Sequence, residues 1–329
     1  NLDGIFFDTM IAAHSIDSSL QSYSLDNLAR RFLDYKMISY KDVTKVDKKS
    51  IPFADVSIDK ATIYSCEDAD ITLKLYGFLL ERLKKYNLLE NYLDYEIPFI
   101  KVLADIEFAG VNIDVKRLAK LSKEFYKIVT DIQGRIYKLI GKEINLNSPM
   151  QLREVLFNQL GLKPNKKTKT GEFSTDSQTL QGIIDQHDVV ELILSYRFYS
   201  KLQTTYIDAL PDLIDEETKR IHTSYNHVGT STGRLSSSSP NLQNIPIKTS
   251  EGKRIRDSFS SANKNKLIMS ADYSQIELRL LAHFSLDSLM VESFNANDDI
   301  HSITAGEIFN IEKDKVTEEQ RRLAKTINF

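Results

Sequence analysis

Asp272 stands where an apolar run, Leu267-Ile268-Met269-Ser270-Ala271, gives way to a segment with Ile276, Leu280 and Phe284 at helical spacing. The run reads as a buried strand, and Gln275 to Phe284 reads as a helix. A carboxylate at a rigid strand end can hold a hard cation. Mg²⁺ takes few oxygens from protein and leaves the rest to phosphates and water. Glu277 falls in the first helical turn, where the helix dipole favours a negative charge. Arg321, Lys325 and Phe329 are four apart, so one helix face carries two cations and a ring. Cations in line can neutralise a triphosphate, and a ring can cover a sugar or base. Tyr64 and Asp68 also share a helix face and could hold and deprotonate a metal-bound water. Lys163 to Gly171 packs four lysines into seven positions with Pro164 and Gly171 beside them, which makes a basic exposed loop tip.

Each feature has a plainer reading. Asp272 can be a helix cap and Glu277 a surface charge. The lysine loop can be a solvated turn, and the Arg321–Phe329 helix a solvated face. Thr230 to Pro246, rich in small polar residues around Arg234, can be an ordinary loop, and a Tyr-x-x-x-Asp pair alone says little.

Longer runs separate these readings. Ala271-Asp272-Tyr273-Ser274-Gln275-Ile276-Glu277-Leu278-Arg279 closely resembles motif A of the family A DNA polymerases of the bacterial DNA polymerase I type. Thr230-Ser231-Thr232-Gly233-Arg234-Leu235-Ser236-Ser237, with Pro240-Asn241-Leu242-Gln243-Asn244-Ile245-Pro246, resembles the same family's TGRLSS…PNLQNIP segment. Glu319 to Phe329 resembles the start of motif B, and Tyr64-Ser65-Cys66-Glu67-Asp68-Ala69-Asp70 resembles the third motif of the associated 3′→5′ exonuclease.

The resemblance implies roles. Asp272 and the backbone carbonyl of Tyr273 would bind Mg²⁺, and Glu277 would exclude a ribose 2′-hydroxyl, since a carboxylate beneath the sugar leaves no room for an oxygen. His301, Arg321, Lys325 and Phe329 would grip the incoming deoxynucleoside triphosphate, with Gln275 beside them and Lys325 as general acid. Phe329 in place of tyrosine would imply poor acceptance of dideoxynucleotides. Arg234, Gln243 and Asn244 would touch the minor groove near the primer end, where acceptors occupy similar places in all base pairs. Lys253, Arg254 and Arg256 would sit near phosphates, as would Lys166, Lys167 and Lys169. Tyr64 and Asp68 would belong to the exonuclease site, with Asp68 a metal ligand. Two Mg²⁺ ions would serve each site of the parent enzyme, with primer-template DNA and deoxynucleoside triphosphates as partners. The implied parent is a monomeric DNA polymerase of the bacterial cytosol, associated with the nucleoid and acting in repair and replication. A non-catalytic DNA-binding module and a stand-alone 3′→5′ exonuclease are the rivals, but neither needs a nucleotide-gripping helix.

The elements that would position these residues follow a family order. The expected class is α/β plus α+β: the C-terminal half of an RNase H-like 3′→5′ exonuclease domain at 1–88, a helical thumb at 89–215, a partial palm at 216–293 and the start of the fingers at 294–329. Leu2 to Phe7 reads as a strand and Asp8 as structural. Asp68 to Leu83, Glu96 to Phe108 and Val115 to Ile140 read as helices, while Ser148-Pro149-Met150-Gln151 and Thr175-Asp176-Ser177-Gln178 read as helix starts. Both ends read as cut, so the chain is expected to be an inactive piece of a longer enzyme.

Composition agrees with a folded, non-membrane chain. Of 329 residues, 41% are hydrophobic and 27% charged, with a net charge of -3. DNA contact must therefore come from local basic patches. The single cysteine, Cys66, allows no internal disulfide, and no apolar run approaches the roughly 20 residues of a membrane span.

Overall fold

The computed structural model describes residues 4–46, 49–164, 166–168, 171–261, 263, 265–296 and 298–327. The chain divides into two compact units, Asn1–Leu267 and Ile268–Phe329. Helices dominate both. Among the described residues, named strands form only two-stranded antiparallel pairs.

The first unit begins with a cap rather than a strand. The Asp8 carboxylate accepts from the N–H groups of Met10 and Ile11, both at 2.9 Å, and starts the helix Thr9–Ile16. Such a cap contributes about 1 kcal/mol. The strand expected over Leu2–Phe7 is absent from its described part, residues 4–7, which has no neighbour to pair with. Phe7 instead packs its ring 4.8 Å from Tyr76 and 5.1 Å from Tyr92. Tyr92 is wholly buried; its hydroxyl accepts from the Asp8 N–H at 2.7 Å and donates to the Asp8 carbonyl at 3.0 Å. The helix Ile58–Lys85 places Ile71, Leu75, Leu79 and Leu83 on one buried stripe. That stripe packs with Ile11, Ala12 and Leu28 of the neighbouring helices.

The helix Ile97–Ala109 ends at Gly110, whose φ of 59° and ψ of -179° suit glycine alone. A Cβ there would lie 2.8 Å from the His222 ring and 2.9 Å from the Ile221 carbonyl. Asn112–Ile113 then pairs with Phe259–Ser260, which brings distant parts of the chain together beside Asp114, the cap of Val115–Ile140. That 26-residue helix packs along Asp188–Leu202. Leu118, Leu121 and Phe125 enter one core with Tyr206 and Ile255, while Ile132 and Ile136 enter another with Leu152 and Leu180. Ser148 caps Pro149–Arg153 as expected, but Gln151 reaches back to the N–H of Asn145, at 2.7 Å, rather than to Ser148. At the second expected start, Asp176 is the cap. Ser224–Asn226 pairs with Ser236–Ser238 and holds the two ends of the Thr230 segment.

The second unit is a small helical assembly of Ile276–Ser285, Ser288–Asn295, Ile300–Phe309 and Glu318–Ile327 around Leu278, Ala282, Phe294 and Ile300. The buried strand expected at Leu267–Ala271 is not formed. Leu267 is 94% exposed and Met269 86%, and no described strand pairs with them. A strand exists through its hydrogen-bonded neighbour, and an apolar run without one stays irregular.

Candidate functional site

In the second unit the site is assembled around Asp299. Gln275 occupies the position before Ile276–Ser285 with φ 54°, a left-handed conformation that costs a non-glycine residue about 1 kcal/mol or more. From there its side-chain amide donates to Asp299 Oδ1 at 3.1 Å. Asp299 caps Ile300–Phe309, accepting from the Ser302 N–H at 3.2 Å and hydroxyl at 2.6 Å. Arg321, on Glu318–Ile327, donates to the same carboxylate through Nε at 2.6 Å and Nη2 at 3.1 Å.

Electrostatics follow from this packing. Burial alone would raise the Asp299 carboxyl, but hydrogen bonds from Arg321, Ser302 and Gln275 outweigh it and hold the group well below the usual carboxylate range. Asp299 in turn raises Arg321. His301 is buried, and burial pushes its ring down; the positive charges of Arg321 and Lys325 add to this and Asp299 opposes it. The neutral form of the ring is therefore favoured beside the cations. Lys325 is exposed on the same helix as Arg321. Gln275, His301, Arg321 and Lys325 are thus brought to one place, whereas Phe329 lies outside the described residues.

Asp272 and Tyr273 lie exposed in the irregular segment before Ile276–Ser285, and Glu277 is exposed in that helix's first turn. Asp272 does not cap the helix; the cap position belongs to Gln275.

In the first unit, Tyr64 packs edge-on to Phe53 at 5.9 Å and Tyr40 at 6.4 Å. Burial, and then the Asp68 carboxylate beside it, hold its hydroxyl above the ordinary tyrosine value. The adjacent Glu67 accepts from the Tyr35 hydroxyl and the Ile38 N–H, each at 2.8 Å, so that carboxylate has a structural task. Among the described residues, no group of three or more His, Cys, Asp or Glu is placed to hold a metal ion.

The basic residues are more committed than their exposure in sequence suggests. Lys166 pairs with Asp176 at 3.0 Å, and Lys167, bridged antiparallel to Phe173, places its ammonium 5.2 Å from that ring. Lys169 lies outside the described residues. Arg254 forms a bidentate pair with Glu124 at 2.8 and 2.6 Å, whereas Lys253 and Arg256 are exposed on Ser250–Arg256. The Gln243 amide donates to the Leu235 carbonyl at 3.0 Å, and the Asn244 carbonyl accepts from the Tyr206 hydroxyl at 2.7 Å. The Thr230 hydroxyl donates to the Arg234 carbonyl at 2.7 Å. Sequence reasoning did not find Asp299, Glu124 or the 2.6 Å pair of Glu96 with His227. Asp299 carried one signal, an aspartate at the start of a helical pattern.

Residues 115–329 match the family model of DNA polymerase family A. The chain belongs to DNA polymerase family A. Its residues 2–84 match the 3′-5′ exonuclease family model. This family A chain is 44% identical to DNA polymerase I of Borreliella burgdorferi over 324 residues, 98% of the chain and 35% of that protein. It is 43% identical to DNA polymerase I of Rhizobium leguminosarum over 325 residues, 98% of the chain and 32% of that protein. The chain thus spans about a third of the length of these curated relatives. The POL domain of Pol1 from M. smegmatis, solved in complex with DNA primer-template and dNTP, superimposes with a TM-score of 0.83 and 36% identity over 100% of this chain and 54% of that one. The fold is therefore an exonuclease domain joined to a family A polymerase domain. No helix among the described residues is long and apolar enough to cross a membrane.

Proposed function

We propose that the chain is part of a template-directed DNA polymerase, one that adds deoxynucleotides to a primer 3′ end and carries a proofreading 3′→5′ exonuclease. The observation that carries this reading is the convergence of Gln275, His301, Arg321 and Lys325 beside the motif A turn, within a chain of family A. Two cations beside a buried imidazole suit a triphosphate: the cations offset part of its negative charge and a ring N–H can donate to a phosphate oxygen. Residues 1–88 are the exonuclease part, 89–215 the thumb, 216–293 the palm and 294–329 the start of the fingers. The enzyme works as a monomer in the bacterial cytosol, on primer-template DNA.

Mg²⁺ is the implied cofactor. Asp272 is an exposed carboxylate with the Tyr273 carbonyl next to it. That fits one share of a Mg²⁺ site, since the ion takes one or two carboxylates and completes its shell with phosphates and water. When bound, the metal neutralises charge developing on the transferring phosphoryl group. The chain's own residues do the rest: Arg321 and Lys325 hold the triphosphate, Lys325 gives a proton to the leaving pyrophosphate, and Glu277 closes the space a 2′-hydroxyl would need. Arg234, Gln243 and Asn244 face the minor groove of the primer terminus, and Lys253, Arg256 and the 166–169 loop face phosphates. Asp68 and Tyr64 contribute to the exonuclease.

The test is primer extension by the intact polymerase with Asp272→Asn. The expected loss of nucleotide addition is about a hundred- to a thousandfold, as for other lost charge-stabilising groups, with duplex affinity little changed. Near-normal extension would remove Asp272 from the metal site.

A further inference from the structure

Asp299 joins three elements of the Ile268–Phe329 unit. Its Oδ1 accepts from Gln275 and from Arg321 Nη2, and its Oδ2 accepts from Arg321 Nε and from Ser302. An anion therefore sits against the cation assigned to the triphosphate. Such a carboxylate could compete with the ligand or could aim the cation at it, and the geometry separates the two. The pair uses the Nε–Nη2 edge of the guanidinium. Arginine has five N–H donors in a rigid planar fork, so anchoring one edge fixes the plane and direction of the other. The Arg321 side chain keeps 44% of its surface exposed and Asp299 keeps 32%, so the pair remains open to solvent. A long side chain ordered before the ligand arrives loses less freedom on binding it.

We propose that Asp299 is a positioning residue for the incoming deoxynucleoside triphosphate, holding one edge of Arg321 so that the opposite edge faces the phosphates. The same carboxylate fixes Gln275, which follows Asp272 by three residues and precedes Glu277 by two. It thereby registers the motif A turn against the Arg321 helix. The inference rests on the polymerase reading above.

The experiment is steady-state nucleotide incorporation by the intact polymerase, with Asp299→Asn, Arg321→Gln and their double variant. Asn keeps one acceptor oxygen, enough to cap the helix at Ser302 or to accept from Gln275, and loses the charged bidentate pair. The expected result is a rise in KM for the nucleotide of about tenfold, with kcat within about twofold. In the Arg321→Gln background, Asp299→Asn should change KM by less than about twofold, because one interaction cannot be lost twice. Ser302→Ala removes the hydroxyl that also donates to Asp299 but keeps the capping N–H and the Arg321 pair, and should leave KM within about twofold, so that losing one donor to the carboxylate is told apart from losing the pair. A lower KM for Asp299→Asn, or an equal rise in both backgrounds, would overturn the proposal. If the wild-type protein itself fails to extend a primer, the polymerase reading has failed; if it extends normally and only the Asp299 variant is silent, this inference alone has failed.

Discussion

Glu277 and Asp272 show what a sequence can disclose about single residues. Nine residues in a row, Ala271 to Arg279, carry a turn, an exposed carboxylate and a helix start, and all of that pattern is local. Glu277→Ala in the intact polymerase should open space beneath the sugar and let ribonucleotides compete. Discrimination against a hydroxyl by a filled site is worth about 1–3 kcal/mol or more, so preference for deoxynucleotides should fall at least tenfold. Incorporation of matched ribo- and deoxynucleotides checks this, and an unchanged preference would count against the gate. Asp299 and Glu124 were not legible in the same way. Their partners, Arg321 and Arg254, lie 22 and 130 residues away, and no spacing rule connects them. The aspartate before Ile300–Phe309 showed only as a helix start, and nothing local revealed that it also holds an arginine.

Helices were legible because their information is periodic and short-range. Val115 to Ile140 was expected and is seen with the same bounds, and Gln275 to Phe284 appears as Ile276–Ser285. Strands were not, because Leu267–Ala271 needs a partner that the pattern cannot supply. Gly110, at the end of Ile97–Ala109, tests the joint between distant elements. Gly110→Ala would add a Cβ against His222 and the Ile221 carbonyl in a backbone conformation open to glycine alone. It should destabilise the protein by about 2–4 kcal/mol, measured by denaturant unfolding. His301, buried at the start of Ile300–Phe309, gives a pH test. Its folded pKa lies below the ordinary 6.5. The stability tied to its neutral ring is therefore fully present above pH 6.5 and is lost as the pH falls below it. His301→Gln should flatten the decline in thermal stability between about pH 7 and 5; an unaltered slope would mean that the ring is not the sensor. At the 166–169 loop, replacing Lys166, Lys167 and Lys169 with Ala should weaken duplex binding alike for all sequences. The salt slope should fall by about 1–2 rather than 3, because Lys166 is already paired with Asp176. An unchanged slope would make the loop a solvated turn.

For the molecule as a whole, family order was readable from the sequence, since the exonuclease and polymerase matches fall in succession at 2–84 and 115–329. What 329 residues do by themselves is a different matter. Two-metal phosphoryl transfer needs carboxylates that bring two cations to within about 4 Å of each other. Among the described residues, no group of three or more His, Cys, Asp or Glu is placed to hold a metal ion. Leu280, Leu281, Phe284 and Leu286 are also exposed on and beside one short helix, an apolar surface of a kind that favours association. Because the chain spans about a third of the length of its curated relatives, the 329 residues alone are expected to add no nucleotide. The most direct measurement is template-directed primer extension with Mg²⁺ and all four deoxynucleotides, run in parallel on the intact protein that contains this sequence and on the 329-residue chain. Extension dictated by the template is expected for the intact protein, and none above a no-enzyme control for the chain alone. An intact protein that binds primer-template yet never extends it would contradict the account.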